Sequence, residues 1–224
     1  MNYTPLIKDR WDDSYFNNRF LTDQRRVSQF ALDKSFIHKY VVSGNLLDVG
    51  CSTGEFCRYL NWDGDLYGME INDFARSEAS QFISFSRDLF NSSSFFDCVV
   101  FRGTIQHVDV PFFMIKSAYA ALKPGGHLFF ISTPNTDSIL YRLKLQLPML
   151  DPPRNFFLPG LSSFSNALTN IGFQILESQS PYLKTPYCNL FKDHFLFLLN
   201  LLSPFYFPHA FWGSSFNLVV RKPT

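Results

Sequence analysis

Hydrophobic and polar positions follow two alternating periods along the first 135 residues. Short apolar runs, typical of buried strands, lie at residues 45–50, 65–70, 82–88, 95–101 and 127–132. Segments with helical spacing separate them, such as residues 111–122, and Asn72 or Asp73 is a predicted helix N-cap. Strands that alternate with helices predict a parallel sheet covered by helices on both faces.

The flanking segments have a different character. Residues 10–40 carry apolar side chains at helical spacing and predict one or two helices before the first strand. Residues 133–160 contain five prolines and little periodicity, so we expect a long excursion over the sheet edge. Further on, the pattern predicts a helix, a strand, an apolar helix and a last strand, at residues 161–171, 172–179, 187–202 and 215–221.

Composition and charge narrow the function classes. The chain has 224 residues, which fits one domain, and its net charge of +1 from 20 basic and 19 acidic residues disfavours nucleic acid as a partner. The four cysteines lack metal-binding or disulfide-framework spacing, and we expect a site without metal. With no apolar signal segment at residues 1–13, we expect a reduced, cytoplasmic protein.

The stretch "LLDVGCSTGEF", residues 46–56, carries the candidate chemistry. One hypothesis takes it as the G-x-S-x-G turn that exposes a nucleophilic Ser52 in α/β-hydrolases, with His194 or His209 completing a catalytic set. Such a turn follows several earlier strands and a glycine-rich oxyanion segment, whereas Ser52 follows the first predicted strand. The hydrolase hypothesis therefore remains only as a minor alternative.

The other hypothesis is a cofactor-binding turn between a strand and a helix. The dinucleotide pattern G-x-G-x-x-G fails, because Glu55 stands at its sixth place. What remains is an acid and two glycines, Asp48, Gly50 and Gly54, followed by Glu70 at the end of the next strand. The helix start offers N–H groups to a carboxylate, and Glu70 can accept two ribose hydroxyls. The pattern indicates a ligand with a carboxylate at one end and a ribose in the middle.

Several motifs in order now define a resemblance: "LLDVGCSTGEF", "YGMEIND", "SFSRDLF", "FFDCVVFRGTIQHV" and "LKPGGHLFFISTPN". From about residue 46 to 135 the chain resembles the class I S-adenosylmethionine-dependent methyltransferases, with a weaker likeness in "FFLPGLSSFSNALTNIGFQIL". The resemblance implies an α/β, Rossmann-like, doubly wound sheet of about seven strands, mostly parallel with an antiparallel last strand. It also implies S-adenosylmethionine as cofactor and S-adenosylhomocysteine as product.

The same resemblance divides the single domain, residues 1–224, into three parts. Residues 1–44 would form an N-terminal helical cap, residues 45–135 the cofactor-binding core, and residues 136–224 the acceptor-side and C-terminal elements. Around the methionine part of the cofactor the resemblance places Asp48, Gly50, Cys51, Ser52 and Gly54. Beside the ribose and adenine it places Glu70, Ile71, Asp88 and Leu89, and under the sulfonium Arg102 and Gly103.

Two positions depart from the family pattern. Ser52 replaces the usual middle glycine, which is tolerable if the φ of Ser52 is negative. Gln106 stands where relatives often carry glutamate. For methyl transfer to a hydroxyl, His107 is the candidate general base and Asp109 a fallback, since both follow the fourth strand at the ligand-binding edge.

The acceptor is less specified than the cofactor. We expect a small-molecule, glycan or lipid-linked acceptor, methylated on oxygen, with Tyr15 and Phe16 either closing over the cofactor or packing as core. The apolar stretch within residues 191–212 is interpreted as a buried core helix, and peripheral membrane contact is its alternative. A cofactor-binding scaffold without catalysis is the remaining alternative function.

Overall fold

The computed structural model describes residues 24–85, 93–151 and 154–224. Within these ranges the helices are α1 (Gln24–His38), α2 (Glu55–Leu60), α3 (Asp73–Ala79), α4 (Pro111–Ala121), α5 (Ile139–Lys144), α6 (Leu161–Ile171) and α7 (Leu190–Leu202), with a 3₁₀ turn at Ile105–His107. The strands are β1 (Leu46–Val49), β2 (Leu66–Met69), β3 (Ser84–Phe85), β4 (Phe96–Arg102), β5 (Leu122–Pro134), β6 (Gln174–Gln179) and β7 (Ser215–Arg221).

The described strands form one seven-stranded sheet in the order β3-β2-β1-β4-β5-β7-β6. Strands β1 to β5 are mutually parallel, and β7 runs antiparallel between β5 and β6. The predicted α/β, Rossmann-like sheet with an antiparallel last strand is therefore confirmed. From β1 the chain continues to β2 on one side and later returns to β4 on the other, which opens a crevice at the carboxyl ends of β1 and β4.

Hydrophobic side chains cover both faces of the sheet. On one face, α4 and α6 bury Ile115, Phe164 and Leu168 against β4, β5 and β7. On the other face, α1 and α2 contribute Phe30 and Phe56 to a second cluster. Because both faces are buried, the middle of β4, residues 98–101, is continuously apolar, as the sequence pattern predicts.

Most element boundaries agree with the sequence pattern, and two segments differ. The predicted turn at residues 123–126 is an irregularity within β5, where the pairing with β4 shifts between Phe96 and Cys98. The proline-rich excursion contains the short helix α5, whose N-cap Ser138 accepts a hydrogen bond from the Tyr141 N–H. A local cap thus creates a helix that hydrophobic periodicity does not reveal.

The prediction that the apolar stretch within residues 191–212 forms a core helix is wrong. Helix α7 buries the polar residues Asp193 and Asn200 and exposes most of its leucines and phenylalanines, although Phe197 stacks on Phe211. Periodicity locates this helix correctly, but it cannot state which face the tertiary structure covers. Among the described residues, no helix is both long enough and apolar enough to cross a bilayer.

Truncation of Phe130 tests the core assignment. Its ring stacks on Phe101 at 5.4 Å and meets Phe164 edge-on at 4.8 Å, with no solvent exposure. We expect Phe130→Ala to lower the free energy of unfolding by about 3–5 kcal/mol in urea titrations, because it leaves a cavity between sheet and helix. Val42→Ala, at a half-exposed position, serves as the control and should change it by less than about 0.5 kcal/mol. Equal effects would contradict the packing described.

Candidate functional site

The turn that follows β1 has a left-handed backbone at alternate residues. Gly50, Ser52 and Gly54 have φ values of 78°, 55° and 75°. The condition of a negative φ at Ser52 is therefore not met, and the serine occupies a conformation that favours glycine. The Ser52 N–H donates to the Glu70 carboxylate at 2.9 Å, so tertiary hydrogen bonding holds this strained position.

Close packing explains the glycines of this turn. A Cβ on Gly50 would lie 2.5 Å from a methyl carbon of Thr104, and one on Gly54 would lie 2.7 Å from the Phe82 ring. Gly103, directly after β4, differs from both because a Cβ there would meet no atom of the described residues within 4 Å. Among these residues, the backbone at Gly103 thus faces open space at the crevice between β1 and β4.

Glu70 joins the turn after β1 to the start of α3. One carboxylate oxygen accepts from Ser52 N–H, and the other accepts from Ile71 N–H at 2.8 Å and Asn72 N–H at 2.9 Å. Burial raises the pKa of Glu70, and the three backbone donors oppose that rise. Glu70 therefore has a structural role in addition to the cofactor contact that sequence reasoning assigns to it.

Asp48 is a carboxyl group enclosed by the core. Its Oδ2 accepts from the Cys57 thiol at 3.3 Å, while its buried Oδ1 has no partner within the described residues. Burial raises the pKa of Asp48 from 3.8 to about 6. Burial likewise raises the pKa of the Cys51 and Cys57 thiols, so neither is primed as a nucleophile.

Arg102 points toward the N-terminal helix. Its Nε donates to the fully buried Asp33 at 2.7 Å, and its guanidinium lies 4.5 Å and 4.8 Å from the ring centroids of Phe30 and Phe56. The side chain thereby connects the end of β4 to α1 and α2. Sequence reasoning missed Asp33, although an acid on the apolar face of an amphipathic helix was a usable signal.

His107 lies on the 3₁₀ turn after β4, and a loop covers it. Its Nδ1 is 2.8 Å from the Arg154 carbonyl oxygen, and its Nε2 is 3.3 Å from the Gln106 side-chain nitrogen. A carbonyl oxygen only accepts, so Nδ1 carries the proton and Nε2 is the acceptor nitrogen of the neutral ring. The Phe156 N–H donates to the Gln106 carbonyl at 2.8 Å and fixes the loop on this turn.

Gln106 shows why an amide suits its position. Its nitrogen donates to the Gly103 carbonyl at 3.0 Å, a bond that an ionised glutamate could not make. Its Oε1 is buried and has no hydrogen-bond partner in the described parts of the chain. Gln106 therefore ties the open position at Gly103 to the histidine beside it.

The structure brings together most of the predicted site residues. The ends of β1, β2 and β4 carry Asp48, Gly50, Cys51, Ser52, Gly54, Glu70, Ile71, Arg102, Gly103 and His107. Asp109 lies further along the chain and is exposed. Four other predicted contributors, Tyr15, Phe16, Asp88 and Leu89, lie outside the described residues. No histidine hydrogen-bonds to Ser52 among the described residues, so the arrangement lacks the catalytic set of a serine hydrolase.

Comparison with known protein families identifies the class of protein. A family model described as "Methyltransferase domain" matches residues 18–178. The chain belongs to this family. The match confirms the expectation of a class I methyltransferase, an enzyme that takes its methyl group from S-adenosylmethionine.

Solved structures share the fold at low sequence identity. A SAM-dependent methyltransferase from Archaeoglobus fulgidus superposes with a TM-score of 0.66 at 15% identity, over 94% of this chain and all of that one. A SAM-dependent methyltransferase from Thermotoga maritima gives 0.64 at 18%, over 97% and 99%. Phosphoethanolamine N-methyltransferase 2 from Haemonchus contortus, in complex with S-adenosyl-L-methionine, gives 0.65 at 15%, over 97% and 60%. No curated protein matches the chain in sequence.

Asp48 predicts a pH dependence of stability. The pKa of its carboxyl is higher in the folded than in the unfolded chain, so protonation of Asp48 favours the folded state. This contribution to the free energy of unfolding is complete below about pH 4 and is lost as the pH rises through about 6. Asp48→Asn lacks this titration. From pH 4 to pH 7, we expect the unfolding free energy of wild type to fall relative to that of Asp48→Asn by about 3 kcal/mol. Denaturant titrations at both pH values measure this, and a constant difference would contradict the buried carboxyl.

Proposed function

We propose that this enzyme transfers the methyl group of S-adenosylmethionine to a hydroxyl oxygen of its acceptor. The observation that carries the proposal is the open space over the Gly103 backbone, next to the turn after β1. S-adenosylmethionine, when bound, supplies the methyl group and leaves as S-adenosylhomocysteine. Such a displacement mainly requires alignment of the reactants and exclusion of water, which a preformed crevice provides.

The residues of the crevice fit the cofactor. Gly50 and Gly54 would let the backbone approach its methionine part, with Cys51 and Ser52 in the same turn. The unpartnered Oδ1 of Asp48 is an acceptor that a bound ammonium group would satisfy. The remaining assignments are Glu70 to the ribose, Ile71, Asp88 and Leu89 to the adenine, and Arg102 with Gly103 to the floor of the site.

His107 is the proposed general base. The Arg154 carbonyl oxygen holds the proton on Nδ1, so Nε2 carries the lone pair that can receive an acceptor proton. A neutral hydroxyl is a weak nucleophile that needs a base to take its proton, whereas a neutral amine attacks with its own lone pair, so a general base favours oxygen as the proposed methylated atom. Asp109 is exposed and remains the fallback base.

The proposed acceptor is a small molecule, a glycan or a lipid-linked compound, and it would bind beside His107. The loop that ends at Arg154 and Asn155 covers His107, so the acceptor would enter between this loop and the crevice. Peripheral membrane contact through residues 191–212 is part of the proposal. Cytoplasmic location is proposed on the four unpaired cysteines, of which three are buried.

Calorimetric titration with S-adenosylmethionine and S-adenosylhomocysteine tests the cofactor site. We expect micromolar binding for wild type, and at least about tenfold weaker binding for Gly103→Ala because its methyl group fills the open space. Gly125→Ala is the matched control: φ is 80° there and 61° at Gly103, but Gly125 lies at the opposite edge of the sheet. Both variants should lose about 1–2 kcal/mol of stability to left-handed strain. Unchanged binding in Gly103→Ala would contradict the site.

Turnover measurements test the acceptor chemistry. Formation of S-adenosylhomocysteine is followed with a panel of matched hydroxyl and amine compounds. We expect hydroxyl compounds to be methylated and His107→Gln to lower kcat by about 10²-fold or more, with unchanged cofactor binding. Turnover confined to amines would overturn the assignment to oxygen, and a His107→Gln enzyme as fast as wild type would remove the histidine from the mechanism.

A further inference from the structure

Helix α7 presents a continuous apolar surface to the outside of the protein. Its exposed side chains recur on one side of the helix at Leu190, Phe191, Phe195, Leu198, Leu201 and Leu202. Phe191 is 93% exposed and Leu202 86%. A helix in contact with water normally buries its apolar stripe, so this orientation is inverted. We call these six residues the α7 surface.

Polar side chains hold the helix in this orientation. Asp193 accepts hydrogen bonds from the Tyr182 hydroxyl and the Asn189 N–H, each at 2.8 Å. Asn200 bonds both the carbonyl and the N–H of Phe207, at 3.0 Å and 2.9 Å. Both side chains are buried, at 3% and 2% exposure. These hydrogen bonds fix which face of α7 points inward. Rotation of the helix to bury its leucines would break them and leave buried polar groups without partners.

Neighbouring segments extend the apolar surface. Helix α5 contacts α7, and the Lys144 ammonium donates to the Ser203 carbonyl at the end of α7. The exposed apolar and aromatic side chains of residues 138–150, 181–189 and 203–213 are Ile139, Leu143, Leu145, Met149, Leu183, Tyr187, Phe205 and Trp212. Tyrosine and tryptophan at the margin of such a surface are typical of the boundary between membrane and water.

Positive charge predominates in these segments. Residues 138–150 and 181–213 together contain Arg142, Lys144, Lys184 and Lys192, and their one acidic residue is the buried Asp193, while the partly buried Asp137 and Asp151 flank the first range. None of the four bases forms a salt bridge in the described part of the chain. The chain as a whole carries only +1, so the excess of positive charge is local.

We propose that the α7 surface docks on an anionic lipid bilayer, with its apolar side chains in the interface and the four bases among the headgroups. Apolar burial combined with attraction to anionic lipids is the mechanism of interfacial helices. A second copy of the chain fits less well, because pairing two such surfaces would bring like charges together.

The α7 surface lies on the side of the sheet where the proposed acceptor binds. β6 ends and β7 begins at the carboxyl edge of β5, since Pro134 of β5 pairs with Ser215 of β7. The segment between them, which contains α7, therefore leaves and rejoins the sheet at the edge that carries the cofactor crevice. Docking would bring that edge, and with it the proposed acceptor site, to the membrane. The link to the acceptor rests on the proposed function, whereas the docking proposal does not.

Vesicle flotation tests the docking. Purified protein is mixed with phosphatidylcholine vesicles, with or without about one third phosphatidylglycerol. We expect wild type to float with the anionic vesicles and Phe191→Asp/Phe195→Asp to bind them at least about tenfold more weakly. Lys184→Gln/Lys192→Gln should weaken anionic binding several-fold and reduce its salt sensitivity. The matched controls are Val42→Asp and Arg58→Gln/Lys116→Gln, which change exposed residues elsewhere and should bind as wild type.

The outcomes separate docking from the enzymatic proposal. Calorimetry with S-adenosylmethionine should give the same affinity for wild type and Phe191→Asp/Phe195→Asp. Absence of flotation in a wild type that binds the cofactor would overturn docking alone, whereas flotation without cofactor binding would overturn the proposed function alone. Equal flotation with neutral vesicles would overturn the role of anionic lipid. A wild-type dimer that the double phenylalanine variant dissociates, with no flotation, would assign the surface to a second copy.

Discussion

The Glu70 carboxylate holds the geometry on which the cofactor edge depends. It accepts from Ser52 N–H on one side and from Ile71 and Asn72 N–H on the other, so two turns share one anion. Ser52 keeps its left-handed backbone inside this arrangement. Because a buried carboxylate is stable only when it is hydrogen-bonded, the two turns and Glu70 stabilise one another. The crevice is thereby rigid before any ligand enters it.

Buried charge also joins the N-terminal helix to the centre of the sheet. Arg102 at the end of β4 pairs with the buried Asp33 of α1, and Phe30 and Phe56 surround its guanidinium. Removal of one partner of such a pair leaves an uncompensated charge and is strongly destabilising. Arg102 lies next to Gly103 in the chain, so the pair ties the end of β4 to α1.

One side-chain amide joins three segments that follow β5, precede α6 and precede β7. Asn135 Oδ1 accepts from the Asp137 and Leu161 N–H groups, and its Nδ2 donates to the Gly213 carbonyl. The three segments that meet there are far apart in the chain and contain both α5 and the connection to α7. With Asn135 buried, their mutual position does not depend on hydrophobic packing alone. Because these hydrogen bonds hold the three segments together, their apolar side chains can remain exposed.

By itself, the sequence determined the order of strands and helices, the glycine turn after β1, and the family. These follow from local periodicity and from motifs whose spacing backbone geometry restricts, as Gly50 and Gly54 illustrate. Only the tertiary structure decided the φ of Ser52, the pairing of Arg102 with Asp33 and the orientation of α7. Each of these depends on a partner outside the residue's own helix, strand or turn: Glu70 for Ser52, α1 for Arg102, and Tyr182 with Phe207 for α7. The hydrophobic pattern predicted where α7 lies in the chain, but buried hydrogen bonds determine which face of the helix is exposed.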